Sequence, residues 1–150
     1  MPEPQRSAVL GYFEARFGIP LTAFAGYCLL ERRKVYVLMR DSPHLEMLGS
    51  LKIHSVGLPV LRKIRRYLKP TTAALQRFGH QATRHTLALS AAQTVQLLRE
   101  HKLLLPLDCQ PGYIILLYEG HILGCGLYTP GCLHSQIPYR QSAHQRFADL

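Results

Sequence analysis

The fold of the second half of this chain is decided by residues 113–128, which read YIILLYEGHILGCGLY. An unbroken apolar and aromatic run, Tyr113–Tyr118, is separated from a second apolar run, His121–Tyr128, by a glutamate and a glycine. Two strand-forming runs joined by a two-residue connection that contains glycine predict a β-hairpin. Because Thr129, Pro130 and Gly131 follow the second run, we expect another turn there.

Two glycines, Gly124 and Gly126, interrupt the second of these predicted strands. Glycine weakens a strand, and inside one it usually marks a bulge or a close approach of another backbone. We therefore interpret both residues as permitting sharp curvature. The alternative is a phosphate-binding loop, but a dinucleotide site requires a helix that begins directly after the glycines, and the sequence predicts none.

The residues that precede the hairpin predict three shorter elements of the second half. These are a strand at Arg84–Leu89, a helix at Ala91–Glu100 capped by Ser90, and a strand at Lys102–Leu105. Together with the hairpin they indicate a small β-rich barrel with one early helix. The closing segment, Gln141–Leu150, is polar and predicts a frayed tail.

The first half predicts both helices and strands. A helix at Arg6–Phe17 ends at Gly18, a residue that suits a left-handed cap. The other expected elements are a hairpin of Phe24–Leu30 and Lys34–Met39 around the charged loop Glu31-Arg32-Arg33, a short helix around His44–Leu48, and a short helix that begins at Pro70-Thr71-Thr72 and ends at Gly79.

The segment Leu51–Tyr67 fits either a helix or a strand. Val60, Ile64 and Tyr67 have helical spacing, whereas residues 60–66 also alternate as in a strand, and Gly57 and Pro59 favour two short strands with a kink. On the strand interpretation Arg62 and Arg66 share one face, and Lys63 and Arg65 share the other. The polar stretch His80–Thr83 is the best candidate boundary, so we expect an α+β protein with an α/β domain at residues 1–82 and a β-rich domain at residues 83–150.

The distribution of charge favours a polyanionic partner. The chain carries 18 Lys and Arg against 9 Asp and Glu, a net charge of +9. No acidic residue lies between Glu46 and Glu100, and five basic residues crowd into Arg62–Lys69. A solvated surface is the usual interpretation of such a run, but solvated surfaces normally alternate both signs. We therefore predict a polyanion-binding site here, with nucleic acid as the leading partner.

Catalytic and metal sites are not favoured by the sequence. The combination of His121, Cys125, Cys132 and His134 offers zinc ligands, but it lacks the closely spaced pairs typical of a zinc knuckle. No cysteine and histidine lie in a local signature that would activate a thiol. We expect no enzyme activity, no metal and no cofactor.

Tyr139, which follows Pro138 and precedes Arg140, is placed to stack on a base.

The cysteines and the hydropathy predict a cellular location. No apolar run is long enough to span a membrane, and the first residues are polar and rich in proline, unlike a signal peptide. Four cysteines in a chain without a secretory signal do not indicate a disulfide framework. We expect a cytoplasmic protein with no membrane partner.

The order of several short motifs resembles a known RNA-binding unit. The motifs are Tyr12–Pro20, Val35-Tyr36-Val37, Gly57-Leu58, Lys69-Pro70-Thr71-Thr72, Leu75–Gly79, Gly112–Leu116, Gly120, Leu123–Gly126 and Ser135–Pro138. In this order they look like the unit shared by the Nip-seven ribosome-biogenesis family and the extensions of Sun-family RNA cytosine-C5 methyltransferases. The resemblance spans nearly the whole chain, although each motif alone is weak.

The resemblance implies a small α/β N-terminal (pre-PUA) domain followed by a PUA domain, a pseudo-barrel that binds structured RNA. The family's Gly-x-Gly element corresponds to Gly124 and Gly126, and its basic closing segment corresponds to Ser135–Arg140. The family often has lysine near its closing proline, whereas this chain has His134, Ser135 and Gln136. We expect RNA affinity at that edge to be lower, or to depend on pH through His134. The catalytic half of a methyltransferase does not fit in this length.

The sequence therefore predicts a non-catalytic protein that binds structured RNA, either rRNA or tRNA. It would act as a ribosome-biogenesis factor or as the targeting subunit of an RNA-modifying enzyme, with an RNA methyltransferase or a pre-ribosomal protein as partner. The alternative is a protein-interaction module that docks on an acidic assembly factor. The predicted RNA-binding residues are Arg62, Lys63, Arg65, Arg66, Lys69, Arg77, Arg84, His134, Ser135, Gln136, Tyr139 and Arg140.

Overall fold

Helices and two mostly antiparallel sheets make up this chain, a small α+β architecture. The structure is a computed structural model that describes residues 2–40 and 57–138. The chain divides into two compact units, Met1–Thr83 and Arg84–Leu150. The helix expected around His44–Leu48 and the tail Gln141–Leu150 lie outside the described residues. Within the described part of the chain, no helix is long and apolar enough to cross a membrane.

The first unit begins with helix α1, Glu3–Phe17. It starts three residues earlier than expected, because prolines are tolerated in the first turn, where the backbone N–H groups lack helical partners. It ends at Gly18, whose φ of 72° is left-handed, as predicted. A side chain at this position would collide with the Thr83 hydroxyl, so glycine is needed both for its backbone conformation and for space.

The sheet of the first unit is an antiparallel meander in the order β1-β2-β3-β4. Its strands are β1, Tyr27–Arg32; β2, Val35–Arg40; β3, Leu58–Ile64; and β4, Tyr67–Pro70. The expected hairpin around residue 33 is confirmed, although Phe24 lies in a 3-10 turn, Leu21–Phe24, rather than in the strand. Of the segment that fitted either a helix or a strand, residues 51–56 lie outside the described residues; Leu58–Ile64 and Tyr67 lie in strands, with a turn at Arg65-Arg66 that the sequence did not predict.

One helix and an aromatic cluster pack on this sheet. Helix α2, Thr72–Phe78, is capped by the Thr71 hydroxyl, which accepts a hydrogen bond from the Ala74 N–H at 3.0 Å. The same hydroxyl donates to the Pro59 carbonyl at 2.6 Å and so ties α2 to β3. The Phe24 ring lies between Phe13 and Phe78, at centroid distances of 5.4 Å and 4.8 Å. These buried rings form much of the core of the first unit.

Within residues 84–138, the second unit contains a five-stranded sheet in the order β5-β7-β8-β9-β6 and one helix, α3. The helix occupies Ala91–Glu100, as predicted, with Ser90 and Gln93 forming a reciprocal capping box. The strands are β5, Thr86–Ala88; β6, Lys102–Leu104; β7, Gly112–Tyr118; β8, His121–Thr129; and β9, Cys132–Ser135, of which β9 was not predicted. Strand β5 is parallel to β7, and the other pairs are antiparallel.

The described strands of the second unit do not close into a barrel. Strands β5 and β6 lie at opposite ends of the hydrogen-bonded order, and no pairing joins them within residues 84–138. The glycines of β8 lie at a bulge and at a close contact between strands, the two features that glycine inside a strand usually marks. The register shifts opposite Leu116 and Leu117, which leaves Leu123 as the extra residue of a bulge, and the adjacent Gly124 has a φ of 146°. Gly126 lies against Leu133 of β9, where a side chain would have no room.

Candidate nucleic-acid interface

Both hairpin turns of the first sheet lie at the same end of the sheet. The β1–β2 turn consists of Arg33 and Lys34, whose φ angles of 47° and 44° fit a type I′ turn. The β3–β4 turn contains Arg65, with φ of 56°, and Arg66. The Lys63 N–H donates to the Lys34 carbonyl at 2.7 Å, so the two turns are neighbours. The charged loop after β1 and the basic run at residues 62–69 therefore form one surface.

We call this surface the basic sheet end. Among the residues that the structure describes, it contains eight basic residues and one carboxylate, that of Glu31. No carboxylate pairs with Arg62, Arg65 or Arg66 within residues 2–40 and 57–138. The eight basic residues are Arg32, Arg33, Lys34, Arg62, Lys63, Arg65, Arg66 and Lys69. Such a surface repels itself unless an anion neutralises it, so its charge favours an anionic ligand.

A row of residues runs across all four strands on one face of the basic sheet end. Arg32 pairs with Val35, Val35 pairs with Arg62, and Arg62 pairs with Lys69. Residues that pair directly across strands point to the same face. We call these four residues the cross-sheet row. With strands about 4.8 Å apart, the row extends over roughly 14 Å. It presents three cations to one side of the sheet.

Lys63 belongs to the opposite face. Its ammonium forms a salt bridge with Glu31 and lies over the Tyr36 ring, 5.0 Å from the ring centroid. The hydrogen bond with Glu31 is the main reason that the pKa of Lys63 is raised, and the hydrogen bond with Tyr36 adds to it. Because Glu31 already balances its charge, Lys63 supports the hairpins rather than the cross-sheet row. The expectation that Arg62 and Lys63 face opposite sides is confirmed.

The predicted positions of Arg65 and Arg66 on the two faces of the sheet are wrong. The sequence interpretation placed Arg66 on the face of Arg62 and Arg65 on the face of Lys63, as in one continuous strand. The chain instead turns at Arg65 and Arg66 and returns as β4. The reversal brings Lys69 beside Arg62 and leaves both turn arginines exposed at the tip.

The face of the cross-sheet row has a groove and an exposed aromatic side chain. The groove has a volume of about 260 Å³ and is lined by Arg32, Arg33, Val35, Val37, Gly57, Pro59 and Arg62. Farther toward the turn, Tyr67 pairs with Ile64, and their exposed fractions are 70% and 42%. Tyr67 lies two residues before Lys69 on β4 and therefore shares its face. Cations, an apolar groove floor and an open aromatic ring thus occupy one surface.

Two other predicted cations lie elsewhere. Arg77, on α2, donates a hydrogen bond to the Tyr27 hydroxyl at 3.2 Å. This bond is the main reason that the pKa of Tyr27 is lowered, and the charge of nearby Arg40 adds to the effect. Tyr27 begins β1, five residues and roughly 17 Å from Arg32 along the strand, so Arg77 does not join the basic sheet end. Arg84 is exposed and belongs to the second unit.

The remaining predicted site residues lie at the end of the second unit. His134 is exposed on β9 and pairs with Lys102 of β6. The Ser135 N–H donates to the His101 carbonyl at 2.8 Å, and the Gln136 N–H donates to the Cys125 carbonyl at 2.9 Å. These backbone bonds hold the strand end in place. Tyr139 and Arg140 lie outside the described residues.

The two units differ sharply in charge. The described residues of the first unit contain twelve basic and three acidic residues, whereas residues 84–138 contain three of each. A concavity of about 450 Å³ in the second unit is an open depression along α3, lined in part by Ala91, Ala92 and Val95. No group of three or more potential metal ligands occurs in the described part of the chain. The electrostatic site is therefore in the first unit.

No protein-family model matches this sequence, and no curated protein matches it at a significant level.

Sequence reasoning missed several residues of the basic sheet end. The sequence pattern places Arg32 and Arg33 in a charged loop without indicating a function, and it does not decide the structure of the segment that contains Tyr67. One signal was available for Tyr67, because Val60–Ile64 and Tyr67–Pro70 are two strand-like runs separated by two residues. Arginine at both turn positions obscured it, since a two-residue hairpin turn usually contains glycine, asparagine or aspartate.

Proposed function

We propose that this protein is a non-catalytic RNA-binding protein whose main RNA contact is the basic sheet end. The observation that supports this most directly is the convergence of the two hairpin turns, which gathers eight basic residues and, within the described part of the chain, one carboxylate. Phosphate groups of a nucleic acid are neutralised by such a surface, and the release of their counterions drives binding. The exposed Tyr67 beside these cations adds the aromatic component typical of proteins that bind unpaired bases.

The second unit is proposed to be PUA-like. The support consists of the resemblance, the glycines at Gly124 and Gly126 in a strand that carries a bulge, and a closing segment that follows β9. Because residues 84–138 carry no net charge, contacts there would contribute shape and base recognition rather than most of the affinity. Residues His134, Ser135 and Gln136 remain the proposed edge for such recognition.

The proposed biological role follows the same resemblance. The protein would act in the cytoplasm on rRNA or tRNA, as a ribosome-biogenesis factor or as the targeting subunit of an RNA-modifying enzyme such as a methyltransferase. It would catalyse no reaction itself. Incubation with RNA and S-adenosylmethionine alone should therefore give no methyl transfer, and turnover by the isolated chain would contradict the proposal.

A salt titration of RNA binding tests the electrostatic part of the proposal. The affinity for a structured RNA should fall steeply with salt, because each neutralised phosphate contributes about 0.7 to 0.9 to the logarithmic slope. Replacement of both turn arginines, Arg65→Asn with Arg66→Ala, should reduce the slope by an amount that corresponds to the loss of up to about two phosphate contacts. Asparagine is chosen at residue 65 because it tolerates the φ of 56° there.

A charge-matched variant of the second unit provides the control. Arg99→Ala with Lys102→Ala removes two exposed cations outside the basic sheet end and should leave the slope nearly unchanged. If both double variants reduced the salt slope equally, RNA binding would depend only on the net charge of the protein. An affinity that does not depend on salt would contradict the proposal. Binding to an acidic protein without binding to RNA would favour the protein-interaction alternative.

A further inference from the structure

We infer that the groove on the face of the cross-sheet row binds one unpaired nucleotide of the RNA, while Tyr67 stacks on another base of the same strand. The inference rests on the proposed function and specifies its ligand as single-stranded RNA, or an unpaired loop within a structured RNA. It derives from the chemistry of the groove lining and from the exposure of Tyr67, which are independent observations.

The groove combines the two kinds of contact that a nucleotide requires. Val35, Val37 and Pro59 provide an apolar floor, and Arg32, Arg33 and Arg62 provide cations on the same groove. A nucleotide has an apolar ring face at one end and an anionic phosphate at the other. The volume of about 260 Å³ is below the roughly 300–1,000 Å³ typical of pockets for drug-sized ligands, which suits a single nucleotide better than a larger molecule.

The apolar floor favours an unpaired base over a duplex. In an A-form helix the bases are stacked on one another, so their ring faces are not available to the protein, and the deep major groove excludes side chains. A duplex would place only phosphates and ribose against this surface. An unpaired base can instead lay its ring face on the floor, while its phosphate meets the arginines.

Tyr67 is positioned to hold a second base. It lies two strands from Val35 and about two residues toward the turn, a diagonal distance of roughly 12 Å across the sheet. Arg62 projects from β3, the strand between these two positions, and Lys69 lies two residues after Tyr67 on β4, both on the same face. Phosphates that connect the two bases would therefore pass over cations. With 70% of its surface exposed, Tyr67 gains little stability from burial in the first unit.

Binding of defined RNAs to the full chain tests this inference. The probes are a labelled uridine oligomer of about 12 nucleotides, which remains single-stranded, and a duplex of the same length. We expect the oligomer to bind more tightly at equal salt. Tyr67→Ala should weaken oligomer binding roughly 5- to 100-fold, the loss typical of one stacked base, with little change in the salt slope. Tyr67→Phe should retain the binding.

A second variant examines the groove without changing its charge. Val35→Phe would fill the groove with a ring, because Val35 is half-buried and lies on its floor. It should weaken oligomer binding several-fold and leave duplex binding unchanged. Leu104→Ala, at a 75% exposed apolar position in the second unit, is the control and should change neither. If Val35→Phe does not fold, the Tyr67 variants decide the question.

The outcomes separate this inference from the proposed function. If the duplex binds as tightly as the oligomer and the Tyr67 variants bind normally, the groove inference is wrong while RNA binding stands. If neither RNA binds in a salt-dependent manner, the proposed function itself fails. If uridine monophosphate displaces the oligomer at concentrations equal to those of the oligomer itself, the groove is a small-molecule site, which also overturns the inference.

Discussion

The two sheets of this protein are both largely antiparallel, yet they use their polar residues differently. The first sheet places arginine and lysine at its turns and on one face, with Glu31 as the carboxylate of the basic sheet end. The second sheet, within residues 84–138, has balanced charge and directs polar groups into internal bonds, such as those of the Tyr128 hydroxyl. Under the proposed function, this difference predicts that substitutions in the first sheet change RNA affinity, whereas substitutions in the second sheet act mainly through stability.

The Tyr128 hydroxyl should give the largest loss of stability in the second sheet. It accepts hydrogen bonds from the N–H groups of Leu107 and Gly131, at 2.8 Å and 3.2 Å, and donates to the Leu107 carbonyl at 3.1 Å. Tyr128→Phe leaves these backbone groups without their partner and should cost roughly 2–3 kcal/mol in the free energy of unfolding by urea. RNA affinity, measured where the variant remains folded, should be unchanged. A loss of affinity in the folded variant would break the contrast between the sheets.

Gly126 tests the packing between β8 and β9. A Cβ atom there would lie 2.7 Å from Cδ1 of the buried Leu133 and 3.3 Å from the His134 carbonyl oxygen. Gly126→Val should therefore destabilise the protein by about 1–3 kcal/mol, measured by thermal melting. Gly124→Val should be similarly unfavourable for a different reason, the φ of 146° beside the bulge. If either variant melted like the parent but failed to bind RNA, these glycines would be a contact surface instead.

A substitution at Gly11, in the first unit, should increase the stability of the protein rather than decrease it. Gly11 lies within α1, has no positive φ, and a Cβ atom there would meet nothing within 4 Å. Gly11→Ala should raise the free energy of unfolding by about 0.5–1 kcal/mol, because alanine loses less backbone entropy in a helix. The salt slope for RNA should stay the same, since α1 is outside the basic sheet end. A destabilised Gly11→Ala variant would show that this helix face is packed more closely than the structure indicates.

Glu31→Gln gives the smallest expected effect and refines the electrostatic description of the first sheet. The pKa of Lys63 is raised above its ordinary value of 10.5, chiefly by Glu31. The stabilisation that accompanies this shift is complete below pH 10.5 and is lost as the pH rises through the folded-state pKa. The substitution should lower the pKa of Lys63 toward 10.5 in an NMR titration and should slightly strengthen RNA binding at neutral pH. An unchanged Lys63 pKa would contradict the assigned salt bridge.

The elements with strong local signals could be predicted from the sequence. The boundaries of α3 agree with prediction because Ser90 and Gln93 form a local capping box. The hairpin of β7 and β8 was recognised because Glu119-Gly120 separates two apolar runs. Strand β9 was missed because it has only four residues, and its pairing with both β8 and β6 is a long-range property.

The candidate site was predictable only in part. The basic run at Arg62–Lys69 was evident, because a stretch without acidic residues is visible in composition alone. The contribution of Arg32 and Arg33 to the same surface was not evident, because some thirty residues separate them from Arg62 along the chain. Only the pairing of β2 with β3 places these residues on one surface.

The sequence by itself determined the amount of positive charge, its concentration in the first unit and the local capping of the helices. Residue type sets charge, and capping depends on residues within one helical turn. The tertiary structure alone decided which cations act together, because the Arg65-Arg66 turn reverses the chain and brings Lys69 beside Arg62. The alternation of Arg62 and Lys63 between the two faces follows from the strand itself. Strand pairing decided what each face meets, so that Lys63 contacts Glu31 while Arg62 lines the groove.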